Sequence, residues 1–357
     1  MVSKRSGSDV SRRAFLGLVG GGATAALAAC RSSLHAPHGF DVPDTSQVGI
    51  FDAVDYGVDF SVLLFDALRE LRVPVAGRSV VLKPNLVEYA AGAPINTHPD
   101  LVVGAAIALR RAGASTVTVA EGPAHRRDTE YLLRVTGLGA ALREERVAFV
   151  DLNYDDVASV KLRSRFTGLS ELSLPTTILR ADLVVSMPKL KTHHFAGMTA
   201  SMKNLFGVVP GAVYGWPKNL LHFRGIQEST VDLTATVRPG LAIVDAVTCM
   251  EGDGPIKGTA KHLGCLVVGR DPVAVDATCA RLMGIEPRRL AYLAVASRFL
   301  GRIRLEQIVQ RGETVVRFAS DFELLPEFAR LRPSVSTEVL ERILSWARAA
   351  LGRRYGH

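Results

Sequence analysis

Residues 182–194 read Asp182-Leu183-Val184-Val185-Ser186-Met187-Pro188-Lys189-Leu190-Lys191-Thr192-His193-His194. The apolar run with its paired valines predicts a strand over 182–187, rich enough in valine to lie in the middle of a sheet. Pro188 has no N–H to give to a ladder and ends the run. Two lysines and two histidines follow at once. The segment therefore predicts a buried strand that delivers basic groups to its C-terminal end, which in an open α/β sheet is the edge where ligands bind.

On either side of this segment, short apolar runs alternate with amphipathic ones. Strands are expected over 79–82, 116–120, 147–152, 241–246, 263–268 and 314–318. Helices are expected over 60–71, 99–112, 128–145 (broken near Gly137 and Gly139), 227–237, 272–283 and 287–300, with a short one over 197–206. That alternation gives the fold class: α/β, a mostly parallel sheet with flanking helices. A hydrophobic content of 48% supports a substantial core. The α/β domain is expected over 48–335, as one body or as two lobes meeting near 155–180. An amphipathic helix is expected within the last segment, 336–357. No internal repeat is present.

Four more segments place polar residues just after a strand. Val80-Val81-Leu82-Lys83-Pro84-Asn85 leads on to Asn96-Thr97-His98-Pro99, where a helix begins. Read as structure alone, Thr97 or His98 is an N-cap and Lys83 a surface lysine. Val119-Ala120-Glu121-Gly122-Pro123 ends a strand on a carboxylate. Val244-Asp245 ends another and runs into Cys249-Met250-Glu251-Gly252-Asp253-Gly254-Pro255, a glycine-rich loop whose acids suit a divalent cation or are simply exposed. Asp271-Pro272-Val273-Ala274-Val275-Asp276 opens a helix with Asp271 as cap and Pro272 at its first position. After the histidines, Phe195 and Met198 add apolar residues to the basic loop and lead to Ser201-Met202-Lys203-Asn204-Leu205-Phe206-Gly207. Lys189, Lys191 and Lys203 together can bind a phosphate or carboxylate. A lysine depressed by its neighbours can instead serve as a base or form a Schiff base.

Lys83-Pro84-Asn85, Thr97-His98-Pro99, Pro188-Lys189-Leu190-Lys191-Thr192-His193, Met202-Lys203-Asn204-Leu205-Phe206-Gly207, Glu251-Gly252-Asp253-Gly254-Pro255 and Asp271-Pro272-Val273-Ala274-Val275-Asp276 together resemble the bacterial and archaeal domain-of-unknown-function family 362. The resemblance runs in order from Val80 to Gly284. It implies a protein without an assigned reaction. Some members carry iron–sulfur domains, but this chain lacks those cysteines, so no iron–sulfur cluster is expected. The first half also resembles the lactate-racemase-like fold, a likeness of architecture that supplies no reaction.

The N-terminus reads as an address. Lys4, Arg5, Arg12 and Arg13 make a basic region, and Ser11-Arg12-Arg13-Ala14-Phe15-Leu16 has the paired arginines that the twin-arginine translocon reads. The apolar run over 14–29 is rich in glycine and alanine and too short to span a bilayer. Leu27-Ala28-Ala29-Cys30 resembles a bacterial lipobox, with lipidation at Cys30. An ordinary signal cleavage near the same place is the other reading. The expected organisation is a signal over 1–29 and a tether over 30–47. The protein is then exported to the periplasm or cell envelope and touches the membrane only through its lipid.

Removing residues 1–29 lowers the net charge from +8 to +5. The excess is scattered, in pairs such as Arg126-Arg127, Arg288-Arg289 and Arg353-Arg354, and nothing resembles a basic stripe interleaved with aromatics, so nucleic acid is not an expected partner. Once Cys30 is set aside, Cys249, Cys265 and Cys279 remain, with no C-x-x-C. They form one disulfide and a thiol, or three buried thiols.

These features point first to an exported enzyme acting on a small anionic substrate. His98, Lys189 and His193 are the catalytic candidates. Lys83, Asn85, Lys191, Lys203 and Asn204 are the substrate-binding candidates, and Glu121, Asp245, Glu251 and Asp253 the acids for a divalent metal. A non-catalytic envelope lipoprotein that captures an anion or metal is the second reading. A redox accessory protein without its own cluster is the third.

Overall fold

The valine-rich run is a strand, Leu183–Met187, buried along its whole length in a ten-stranded sheet. This is seen in a computed structural model that describes residues 39–334, except 124–127 and 217. The signal over 1–29, Cys30, the first half of the tether, Arg126-Arg127 and the C-terminal segment 336–357 lie outside the described residues. The structural unit begins at Phe40.

In chain order the strands are β1 (Ser46–Asp52), β2 (Ser79–Pro84), β3 (Thr116–Glu121), β4 (Ala148–Asp151), β5 (Val157–Lys161), β6 (Glu171–Pro175), β7 (Leu183–Met187), β8 (Lys189–His193), β9 (Gly197–Thr199), β10 (Leu241–Glu251), β11 (Thr259–Gly269) and β12 (Ile308–Gly312). The sheet runs β12-β1-β11-β10-β7-β2-β3-β4, and β5 with β6 forms a separate antiparallel pair. From β10 to β4 every pairing is parallel. β11 is antiparallel to both β10 and β1. The fold class is therefore α/β with a mostly parallel central sheet.

Both faces of the parallel part are covered, which is why its strands read as continuous apolar runs. Side chains alternate between faces along a strand. Val80, Leu82 and Val185 pack with Leu64, Leu68, Leu101 and Ala105 of the helices α1 (Phe60–Glu70) and α2 (Pro99–Arg111). Val81, Val184 and Ala120 pack on the opposite side with Leu233 of α3 (Ile226–Val237). A third cluster lies between β10, β11 and α4 (Pro272–Leu282). Asp59 and Asp271 cap α1 and α4 through their side chains, and Pro99 and Pro272 occupy first turns where a missing N–H costs nothing.

Several expected elements differ. The loop after Pro188 is a strand, β8. Its proline ends β7 without ending the lane, because β10 pairs with β7 at Leu241 and Ala242 and then with β8 at Asp245 and Met250. β10 accordingly runs to Glu251. The helix expected over 197–206 is the short strand β9, a helical turn Ser201–Asn204 and a 3-10 turn Leu205–Val208. The late strand is Ile308–Gly312, and most of the segment read as that strand, Val315–Phe318, is a helical turn. The helix over 287–300 is a 3-10 turn followed by Ala291–Ala296. β1, β5 and β6 gave no sequence signal strong enough to be named. The break in 128–145 falls at Gly137, whose φ of +78° lies in the region glycine enters freely. Cys249, Cys265 and Cys279 are all buried and free, the second of the two cysteine readings.

Candidate functional site

Parallel pairing aligns strand ends, so the polar residues that close β2, β3 and β7 arrive at one edge. Lys83 sits opposite Ser186, and Pro84 opposite Met187. Lys83 is fully buried. Its Nζ lies 2.5 Å from Glu121 Oε2 and 3.0 Å from both Asn204 Oδ1 and the Pro84 carbonyl. The other donors to Glu121 are backbone: Leu86 N to Oε2 and Gly122 N to Oε1. Burial pushes the Lys83 ammonium below the ordinary lysine range, and Glu121 pulls against it. A buried pair of this kind gains little over apolar residues but is costly to break.

The opposite wall comes from β8 and the glycine-rich loop. His194 N donates to the Gly254 carbonyl at 3.0 Å, and Thr192 Oγ1 to the Gly252 carbonyl at 2.9 Å. A Cβ at Gly254 would collide with the Thr192 backbone, so only glycine lets the two segments touch. This docking sets Pro255 and Ile256 beside Lys191 and His193.

The third wall is the turn Ser201–Asn204. Its N-terminus is held by Asp276, which lies one turn into α4 and accepts from Ser201 N, Ser201 Oγ and Met202 N at 2.7, 2.6 and 3.3 Å. The Tyr292 hydroxyl donates to the same carboxylate at 3.2 Å. Burial raises Asp276 to about 7 against these four donors. Asn204 is fully engaged, with its Oδ1 on Lys83 and its Nδ2 on the Lys83 carbonyl and Ser186 Oγ. A Cβ at Gly207 would strike both Lys83 and Glu121, so the motif's final glycine lets the backbone close over that pair.

Together these walls line a half-open cavity of about 330 Å³, at the small end for ligand sites. Lys83, Lys191, Lys203, Lys218, His193, His194 and His222 line it, with Asn85 and the aromatic rings of Phe195 and Phe206. Among the described residues Glu121 is the only acid in the wall, and its oxygens already face Lys83 and two backbone N–H groups.

The basic groups differ in how they are held. Lys191 Nζ donates to the Ile95 carbonyl at 2.7 Å, leaving ammonium protons for a ligand. Burial, then its lysine neighbours, push it well below the ordinary range. Lys218 holds the Val209 and Gly122 carbonyls and Asn153 Oδ1, and burial lowers it to about 8. Lys203 stands over the Phe206 ring, 3.7 Å from its centroid. Burial, then Lys83, lower it to about 7.

His193 Nδ1 accepts from Phe195 N and Ala196 N at 3.0 and 3.3 Å, so the neutral ring carries its proton on Nε2. Burial, with Lys203, keeps this imidazole well below its ordinary pKa. His193 therefore offers a hydrogen bond to the cavity and cannot use Nδ1 as a base. Asn85 Oδ1 is a buried side-chain atom with no hydrogen-bond partner among the described residues.

Other sequence candidates go elsewhere. Lys189 does not reach this cavity. It lies 2.5 Å from Asp245 Oδ2 and 2.6 Å from the Tyr56 hydroxyl, in a second buried network. Asp245 also accepts from Tyr56 and from His98 N. His98 caps α2, accepting from Asp100 N, and stacks on Tyr56 at 3.8 Å between ring centroids. The Thr97 hydroxyl instead bridges Asn85 N and the Met187 carbonyl.

The four acids read as metal ligands are not brought together. Glu121 and Asp245 are each tied to a lysine. Glu251 accepts from Glu323 N and faces Lys261, and Asp253 is exposed beside His194. Among the described residues no group of three or more His, Cys, Asp or Glu side chains could hold a metal ion. The donor set chosen from sequence does not fit that role, because strand ends that share an edge do not all face one cavity.

Sequence reasoning missed Lys218 and His222, which lie in a stretch without a strand-end signal, and Tyr56, which only the fold brings to Lys189.

With the site in place, comparison with known proteins gives its setting. A family model described as a domain of unknown function, DUF362, matches residues 80–281, more than half of the chain. The chain belongs to the DUF362 family. The matched span holds Lys83, Glu121, Lys191, His193, Lys203 and Asp276. A thylakoid-associated protein of Synechocystis sp. is 28% identical to this DUF362 protein over 254 residues, 66% of this chain and 74% of that one. Among solved structures, the lactate racemase apoprotein of Thermoanaerobacterium thermosaccharolyticum matches at 14% identity and a TM-score of 0.37, over 62% of this chain. A Thermotoga maritima protein matches at 13% identity and a TM-score of 0.38, over 64% of this chain. The chain spans 56% and 59% of those two structures.

Proposed function

We propose that this DUF362 protein is an enzyme acting on a small organic anion held in the cavity at the sheet edge. One observation carries the reading: among the described residues, four lysines and three histidines line a small half-open pocket whose one carboxylate is already bonded to Lys83 and to backbone N–H groups. Buried positive charge without a partner is unfavourable, and an anion between Lys191, Lys203 and the His193 Nε2–H compensates it. Hydrophobic rings beside these groups suit a ligand with a short carbon skeleton.

A thermal-shift screen of small carboxylates and phosphate on the purified protein tests the binding. A ligand that fits raises the melting temperature by several degrees at saturation, and Lys191→Met abolishes the shift. A screen in which no anion stabilises the wild type more than simple salt overturns the reading. Incubation of the ligand with protein, followed by NMR, separates catalysis from capture: an unchanged ligand identifies a binding protein.

The same proposal places the protein at the cell envelope, exported through the twin-arginine translocon and anchored by lipid at Cys30. The Ser11–Leu16 motif, the small residues before Cys30 and the thylakoid association of the Synechocystis relative support this. No helix among the described residues is long and apolar enough to cross a membrane.

A further inference from the structure

Each lysine that reaches the cavity, except one, is held by an oxygen acceptor. Lys83 has Glu121, Lys191 has the Ile95 carbonyl, and Lys218 has Asn153 and two carbonyls. Lys203 has no hydrogen-bond partner among the described residues, and its ammonium lies over the face of Phe206. Its Nζ is not enclosed by protein, and it opens to the cavity that Lys203 lines. A lysine left without an acceptor between other cations has nothing to hold its proton.

Resting on the anion reading above, we propose that Lys203 is a nucleophile that forms a Schiff base with a small 2-oxo acid. The carboxylate of such a substrate meets the Lys191 ammonium and the His193 Nε2–H, which places its carbonyl within the cavity that Lys203 faces. The free amine adds to the carbonyl carbon, forming the C–N bond as the oxygen takes a proton. Loss of that hydroxyl as water then gives the C=N bond. Both amine protons leave with the oxygen, so no oxidant, reductant or metal is required. The geometry behind the proposal is the amine itself, without an acceptor and open to a cavity that Lys191 and His193 also line. Amine reactivity near neutral pH agrees with the lowering of Lys203 to about 7.

The test is reductive trapping on the full chain. The protein is incubated with pyruvate or glyoxylate and cyanoborohydride, and the modified peptide is mapped by mass spectrometry. One adduct on Lys203 is expected, at a rate at least tenfold above any other lysine. It should fall to background in Lys203→Arg, which keeps the charge. The wild-type rate should rise with pH to a plateau set near 7. Lys83 with Glu121, Lys191, Lys218 and the three cavity histidines face this amine and shape that profile. Since the profile uses the wild type, a variant that fails to fold does not weaken the test. Adducts spread over surface lysines, or none at Lys203 while pyruvate or glyoxylate still raises the melting temperature, overturn the Schiff base and leave the anion site standing. No adduct at Lys203 and no stabilisation by any carboxylate or phosphate overturn both.

Discussion

Glu121 receives Lys83 Nζ and Leu86 N on one oxygen and Gly122 N on the other, so its charge is met on every side. Removing it leaves the Lys83 ammonium buried with only neutral acceptors. Glu121→Gln is expected to lower the free energy of unfolding by about 3–5 kcal/mol, read as a shift of the urea midpoint. Lys203 makes a different prediction. In the unfolded chain it titrates at the ordinary 10.5, and in the folded protein at about 7. Between these values the unfolded chain holds the extra proton, so raising the pH favours folding. Wild-type stability should gain about 1 kcal/mol or more from Lys203 on going from pH 7 to 9.5, and Lys203→Met should lose that part of the gain. At this scale three of the basic residues picked from the sequence, Lys83, Lys191 and Lys203, reach the cavity. Sequence reading misplaced Lys189 and His98, because a lysine at a strand end can turn to either side, and the partners Tyr56 and Asp245 that capture Lys189 lie 133 and 56 residues away along the chain.

The turn Ser201–Asn204 is too short to be stable by itself. Asp276 holds it from α4, taking three donors at its N-terminus, and the turn in turn presents Lys203 to the cavity and Asn204 to Lys83. Asp276→Ala strands buried donors and is expected to cost about 3 kcal/mol or more. It should also weaken anion binding, although residue 276 does not line the cavity; calorimetric titration beside urea unfolding reads both. Gly207→Ala tests the close approach over Lys83 and Glu121, with an expected loss of about 1–3 kcal/mol from overpacking. Six of the twelve described strands and the four long helices were legible from apolar period and caps. β8 was not, since Pro188 marks an end by every local rule. Only its neighbour β10, long enough to pair with β7 and then with β8, carries the lane past the proline.

For the whole molecule, the thiols of Cys249, Cys265 and Cys279 are buried and shifted up by that burial, so they should react slowly with a thiol reagent in the native state and readily in denaturant. Cys30→Ser should move the protein from the membrane fraction to the soluble envelope fraction, and Arg12-Arg13→Lys-Lys should hold it in the cytoplasm. A protein that stays on the membrane without Cys30 would contradict the lipid anchor. Sequence alone determined the fold class, the family and the clustering of lysines and histidines behind strand ends, because periodicity, caps and strand-end polarity are written in neighbouring residues. Tertiary structure alone decided which of them share a cavity. Parallel strands bring their ends to one edge, but whether a side chain there meets a carboxylate, a carbonyl or open space depends on partners supplied from distant segments. Thus Lys83 found Glu121, Lys189 found Asp245, and Lys203 was left facing the cavity.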